Sequence, residues 1–143
     1  GVHGGAPAVS GFELDPRLAA DSAFVADGPL SQVRLMDDTR FPWLLLVPRV
    51  AGASEWIDLD GGQQRLLLAE INQLSQLLRT EAGVEKINIG ALGNVVRQLH
   101  VHVVGRHAGD PAWPGPVWGS GAALRHDPEE LAALTVRWRS RLG

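Results

Sequence analysis

The chain contains no cysteine, which removes disulfides, thiolate zinc sites and cysteine nucleophiles together. Any metal site would have to use histidine and carboxylate, and any covalent catalysis would need another nucleophile. A long apolar run is missing too. The longest lies near residues 41–47, far short of the ~20 residues that cross a bilayer. No basic segment followed by an apolar core opens the chain, so neither export nor membrane anchoring is expected, and a cytoplasmic setting fits the missing cysteines. Positive charge is scarce: Lys and Arg number 13 against 16 Asp and Glu, a formal net charge of -3. That argues against a nucleic-acid polymer as partner, because such binding needs clustered basic residues to displace phosphate counterions. A small anionic ligand needs only a few local donors and stays open. The sequence holds no repeat and no low-complexity tract.

What is present is a globular composition, 45% hydrophobic and 20% charged over 143 residues, enough apolar material for one domain. The start, Gly1-Val2-His3-Gly4-Gly5, lacks an initiator Met. Residues 1–11, His3 among them, are expected to be a flexible leader or a cloning remnant outside the fold.

Local signals give the elements in order. Asp15-Pro16 offers a cap and a proline at the first helical position, predicting a short helix. Phe24-Val25-Ala26 and Val33-Arg34-Leu35-Met36 flank the turn cluster Asp27-Gly28-Pro29, the pattern of a hairpin. Trp43 to Val47, bracketed by Pro42 and Pro48, reads as a central strand covered on both faces. From Gly61 to Ala82, Leu67, Ile71, Leu74 and Leu78 recur at helical spacing, with Glu70 off that stripe and Gly83 as the expected C-cap. Val84 to Ile89 and Leu99 to Val104 read as two adjacent antiparallel strands. A proline- and tryptophan-rich loop follows Arg106, and Asp127-Pro128-Glu129-Glu130 starts a C-terminal helix. The class is α+β, a mostly antiparallel sheet with helices packed on it.

Chemistry concentrates in Gln98-Leu99-His100-Val101-His102-Val103-Val104-Gly105-Arg106. On a strand, alternation sets Gln98, His100 and His102 on one face and the apolar residues on the other. Three readings are open for the two histidines. They are solvated strand residues, or metal ligands completed from His107, His126 or Asp110, or a nucleophile with hydrogen-bonding neighbours beside a phosphate. Gln98, Asn88, Asn94 and His102 are the candidate donors for the third.

These residues resemble the histidine triad (HIT) family of nucleotide hydrolases and transferases, whose signature is His-x-His-x-His followed by two apolar residues. The tail Val103-Val104-Gly105-Arg106 sets the register, with His102 in the third place and Gln98 in the first, where the family has histidine. The likeness extends to Asn88, the Gly93-Asn94 loop, the preceding long helix, the Trp43–Val47 strand and the Trp113-Pro114 loop, covering roughly residues 12–119.

The resemblance implies a single HIT-like domain. It makes His100 the nucleophile that attacks an α-phosphate to form nucleotidyl-histidine, and His102 and Gln98 its phosphate-contacting partners. It places Asn88, Asn94 and Trp113 near the nucleotide, and draws a base pocket from Phe24, Leu35 and neighbours. The implied activity is that of a nucleoside phosphoramidase or dinucleoside polyphosphate hydrolase, releasing a nucleoside monophosphate, with an adenine nucleotide as substrate, no cofactor and a homodimeric state. Gln98 cannot become an imidazolium, so proton handling at that place is lost. A nucleotide-binding module with little turnover, and a metal-dependent enzyme holding its ion through His100 and His102, are the alternatives. Arg97 and Arg106, at strand ends, are expected to face solvent.

Overall fold

A computed structural model describes residues 11–143; the expected leader lies outside the described residues except for Gly11. Asp15 caps helix α1 (Pro16–Asp21), its carboxylate accepting the Arg17 N–H at 2.8 Å. The chain then runs into the hairpin β1 (Ser22–Asp27) and β2 (Ser31–Met36). Strand β3 (Trp43–Pro48) follows, and a 3-10 turn (Trp56–Asp58) leads to helix α2 (Gly61–Arg79). Strands β4 (Lys86–Gly90) and β5 (Val101–Arg106) and helix α3 (Pro128–Leu142) complete the order. The five strands form one antiparallel sheet in the order β1-β2-β3-β5-β4. β3 is central and buried along its whole length, as the proline-bracketed apolar run predicts.

Alternation along β3 and β5 builds two apolar layers. Leu44, Leu46, Val101 and Val103 face one side, where α2 contributes Leu67, Leu74 and Leu78 and α3 contributes Trp138 and Leu142. Trp43, Leu45, Val47 and Val104 face the other, beneath Leu18 of α1 and Val117 of the loop after β5. The histidine pair belongs to this second side, so the cover there decides what can reach it. Among the described residues no helix is long and apolar enough to cross a membrane.

Several boundaries differ from the sequence expectation, each for a local reason. Helix α2 begins with a reciprocal cap, Asp60 accepting from Gln63 N–H and the Gln63 side chain accepting from Asp60 N–H. It ends at Arg79 with Thr80 as cap, and Gly83, at φ +83°, forms the turn beyond. Glu70, three residues after Leu67 and four before Leu74, lies on the buried face of α2, where its Oε2 accepts the Leu30 and Ser31 N–H groups and so fastens the β1–β2 turn to α2. Asp127 sits at the α3 N-cap without a side-chain bond, while the His126 N–H goes to Asp37.

Strand β5 starts two residues later than expected, because the Leu99 N–H goes to the Ala53 carbonyl rather than into the ladder. It runs two residues further, through Gly105, whose N–H goes to the Pro42 carbonyl. Gly105 is required by close approach: a Cβ there would stand 2.8 Å from Val84 Cγ2 and 2.9 Å from Pro42 Cγ. Gly105→Ala should therefore lower the unfolding free energy by about 1–3 kcal/mol, the usual range for overpacking, read as a lower urea midpoint at unchanged m-value.

Candidate active site

β5 carries His102 between two neighbours, Leu45 of β3 and Gly90 of β4. Each flank brings a tryptophan to the imidazole. Trp43 of β3 donates its Nε1–H to His102 Nδ1 at 3.0 Å. Trp118, from the loop after β5, lies edge-on to the ring with centroids 5.4 Å apart. It can do so because residue 90 is glycine; a Cβ there would stand 2.6 Å from Trp118 Cη2. Enclosed in this way, His102 is 6% exposed. Burial first, and the adjacent His100 imidazole second, push its pKa down to about 3, so it is neutral at physiological pH.

His100 precedes the strand and is also buried, its ring centroid 4.9 Å from that of His102. Its Nδ1 lies 2.7 Å from the backbone carbonyl of Gln98. A carbonyl only accepts, so Nδ1 carries a proton, and in the neutral ring Nε2 holds the lone pair. The ring borders a recess of about 90 Å³, shared with Ser54, Glu55, Trp56, Leu92 and Gly93. The pair thus consists of one imidazole held with a bare nitrogen and a neutral one beside it, on the scale of a phosphoryl group. Beyond Trp43 and Trp118 lies a larger cavity of about 500 Å³, also lined by Met36, Asp37, Arg40 and Gly121. The segment 119–126 roofs it. Arg40 donates to the Ser120 carbonyl, the Thr39 N–H to the Leu124 carbonyl, and His126 bonds Asp37.

Residues 17–109 match the HIT domain family. Three solved histidine triad proteins are similar over nearly the whole chain. One from Sinorhizobium meliloti is 47% identical, covering 92% of this chain and 94% of that one, with a TM-score of 0.84. One from Bradyrhizobium japonicum is 45% identical over 92% and 96%, with a TM-score of 0.83. One from Marinobacter aquaeolei is 43% identical over 92% and 96%, with a TM-score of 0.87. The chain belongs to the histidine triad family. Comparison with curated proteins finds no match. The HIT family is in general one of nucleotide-binding hydrolases and transferases, and the α+β antiparallel architecture of this chain is that of its HIT neighbours.

In this HIT protein the expected site residues divide into two groups. His100 and His102 stand together, and Gln98 lies behind them. The Gln98 side chain does not face the recess: its Nε2 donates to the Glu13 carbonyl and its Oε1 accepts the Asp15 N–H, both at 2.8 Å. It binds the segment before α1, and its backbone carbonyl orients His100. Asn94 is exposed on the 91–100 loop, next to Gly93 of the recess. Asn88 and Trp113 gather around Arg106 instead. Asn88 Oδ1 accepts from Arg106 Nη1 at 2.9 Å, and the Trp113 ring lies 5.7 Å from the guanidinium. Phe24 and Leu35 do not line the cavity beside His102; Met36 does. Among the described residues no group of three or more His, Asp or Glu side chains is gathered as for a metal ion.

Arg106 itself is the departure from expectation. It is 1% exposed rather than solvated. Its Nε and Nη2 grip Asp110 at 2.7 and 2.9 Å, and Nη2 also reaches the Gly115 carbonyl. The guanidinium, with the N–H groups of His107 and Ala112 helping, holds the Asp110 carboxyl far below the usual carboxylate range. An arginine followed four residues on by the Asp of a Gly-Asp-Pro turn is the signal that could have revealed this pair.

Two predictions come from this arrangement. Asp110→Ala leaves a buried guanidinium uncompensated and should cost about 3–5 kcal/mol of stability, measured by urea unfolding. For His102 the unfolded chain takes up a proton below about pH 6.5 that the folded chain refuses until about pH 3. The unfolded state then binds more protons, so stability falls as pH drops through that window and is flat above it, by up to about 1.4 kcal/mol per pH unit. Unfolding at neutral pH and midway through the window, in wild type and His102→Gln, should show the extra loss only in wild type.

Proposed function

We propose that this chain cleaves nucleotides at the α-phosphate through a covalent nucleotidyl-His100. One observation carries the reading: the Gln98 carbonyl accepts the hydrogen bond of His100 Nδ1–H, so that in the neutral ring Nε2 is free to attack. In the first step the Nε2 lone pair forms a bond to the α-phosphorus. The P–O or P–N bond to the leaving group breaks, and the leaving group departs with the electron pair and takes a proton from water. The ring becomes cationic with Nδ1–H still donated to Gln98, so the carbonyl stabilises the charge that develops. In the second step water attacks phosphorus, the P–N bond returns its pair to Nε2, and a nucleoside monophosphate leaves with the water oxygen. Splitting one displacement into two is the gain from a nucleophilic side chain.

In this reading His102 faces the non-bridging oxygens, and Asn94, which follows Gly93 of the recess in the chain, contacts the phosphate. Asn88 and Trp113 serve the nucleotide indirectly, by fixing the Arg106 loop that brings Trp118 to the site. The cavity beyond Trp43 and Trp118 supplies the room for a nucleoside, for which an adenine nucleotide is the proposed substrate, as a phosphoramidate or dinucleoside polyphosphate. The family resemblance extends the proposal to a cytoplasmic homodimer paired through α2 and an adjoining strand; β4 is an edge strand and leaves Ile89 52% exposed.

Brief exposure to adenosine phosphoramidate or a diadenosine polyphosphate, followed by mass spectrometry, should place a nucleotidyl mass on the peptide containing His100. His100→Asn should abolish that adduct and reduce turnover more than about a thousandfold. Nucleotide binding with neither adduct nor turnover in wild type would leave a binding module in place of an enzyme.

A further inference from the structure

Two tryptophans meet at His102, yet only one engages a ring nitrogen. The Trp43 indole N–H is 3.0 Å from Nδ1, whereas Trp118 Nε1 is buried without a partner. An indole nitrogen only donates, so the nitrogen it meets must be bare. A neutral imidazole carries one proton, which then resides on Nε2.

We propose that Trp43 is a positioning residue that holds His102 as its Nε2–H tautomer, so that His102 presents a donor, and not a lone pair, to the phosphoryl group on His100. The consequence for the reaction rests on the nucleotidyl-His100 reading; the tautomer assignment rests on geometry alone. The two histidines then have opposite polarity. His100 has its proton on Nδ1 and its lone pair on Nε2; His102 has its lone pair on Nδ1 and its proton on Nε2. One attacks phosphorus while the other stabilises the oxygens that gain charge.

The surroundings leave this task to Trp43. The imidazole is met by the rings of Trp43, Trp118 and His100, and in the ladder His102 stands opposite Leu45 of β3 and Gly90 of β4. None of these is a carboxylate, so no charged partner competes for Nδ1. Trp43 is itself held: it is 7% exposed, and Phe41 packs against its ring with centroids 6.2 Å apart. The donor is therefore aimed by packing before any ligand arrives, which is what fixes an imidazole for its role.

Nitrogen-15 NMR of the imidazoles tests this without substrate. Wild type should show His102 with a protonated Nε2 and a bare Nδ1. Trp43→Phe keeps a ring and removes the donor, and should shift the pattern toward mixed tautomers; Trp118→Phe should leave it unchanged. On substrate, the rate of nucleotidyl-His100 formation in Trp43→Phe should fall about tenfold to a hundredfold, with KM changed far less. Scaling the rates to the folded fraction, measured by circular dichroism, separates this from simple loss of fold. A protonated Nδ1 in wild type, or an unaltered tautomer pattern in Trp43→Phe, would overturn the proposal. So would a rate loss accounted for by unfolding. If wild type forms no adduct at all, it is the nucleotidyl-His100 reading that fails, and the spectra still decide the role of Trp43.

Discussion

A guanidinium leaves water at a cost of several kcal/mol unless charge and hydrogen bonds replace what water supplied, and Arg106 is buried on the sheet face that carries the histidines. Asp110 meets it bidentately, the Gly115 carbonyl and the Asn88 side chain take further N–H groups, and the Phe41 ring lies 5.4 Å from the charge. Arginine suits the place because its planar fork matches a carboxylate and its weak hydration lowers the cost of burial. The first part of the loop after β5 folds around this pair in short turns, the Trp113 N–H going to the Asp110 carbonyl and the Gly115 N–H to the Ala112 carbonyl. Its path then delivers Val117 to the second apolar layer and Trp118 to the imidazole of His102.

Seen from that pair, the two layers have different duties. The layer under α2 and α3 is largely aliphatic, with Trp138 as its buried ring. The opposite layer is aromatic and polar, with Trp43, Trp118, Phe41 and both histidines in ring contact. Aromatic rings supply area with few rotatable bonds and leave N–H groups for directed contacts. The side of the sheet that must hold reacting groups in fixed orientations is built from rigid pieces.

Much of this was legible in the residues. Proline-bracketed apolar runs, caps and helical spacing marked every main element, because those signals act within a few residues of the structure they cause. The motif pointed to the family and to the histidine pair that the fold brings together. What escaped was non-local. Arg106 at a strand end looks solvated until the loop that covers it is known. Glu70 is polar at a position on the buried face of α2, and the N–H groups that satisfy its carboxylate come from a turn 39 residues away. The Trp43 bond to His102 joins residues 59 apart, and no local spacing announces it. Asn88 and Trp113 read as ligand contacts, and folding brings them to the guanidinium of Arg106, whose strand-end position reads as solvent-facing.

The two halves of Gln98 do separate work: the carbonyl steers His100, and the amide ties down the backbone at residues 13 and 15. The same residue therefore belongs both to the outer cover and to the reacting pair. A shift of the backbone at residues 13 and 15, just ahead of α1, reaches the His100 ring through the Gln98 side chain and carbonyl, so the position of that segment and the aim of the ring are coupled.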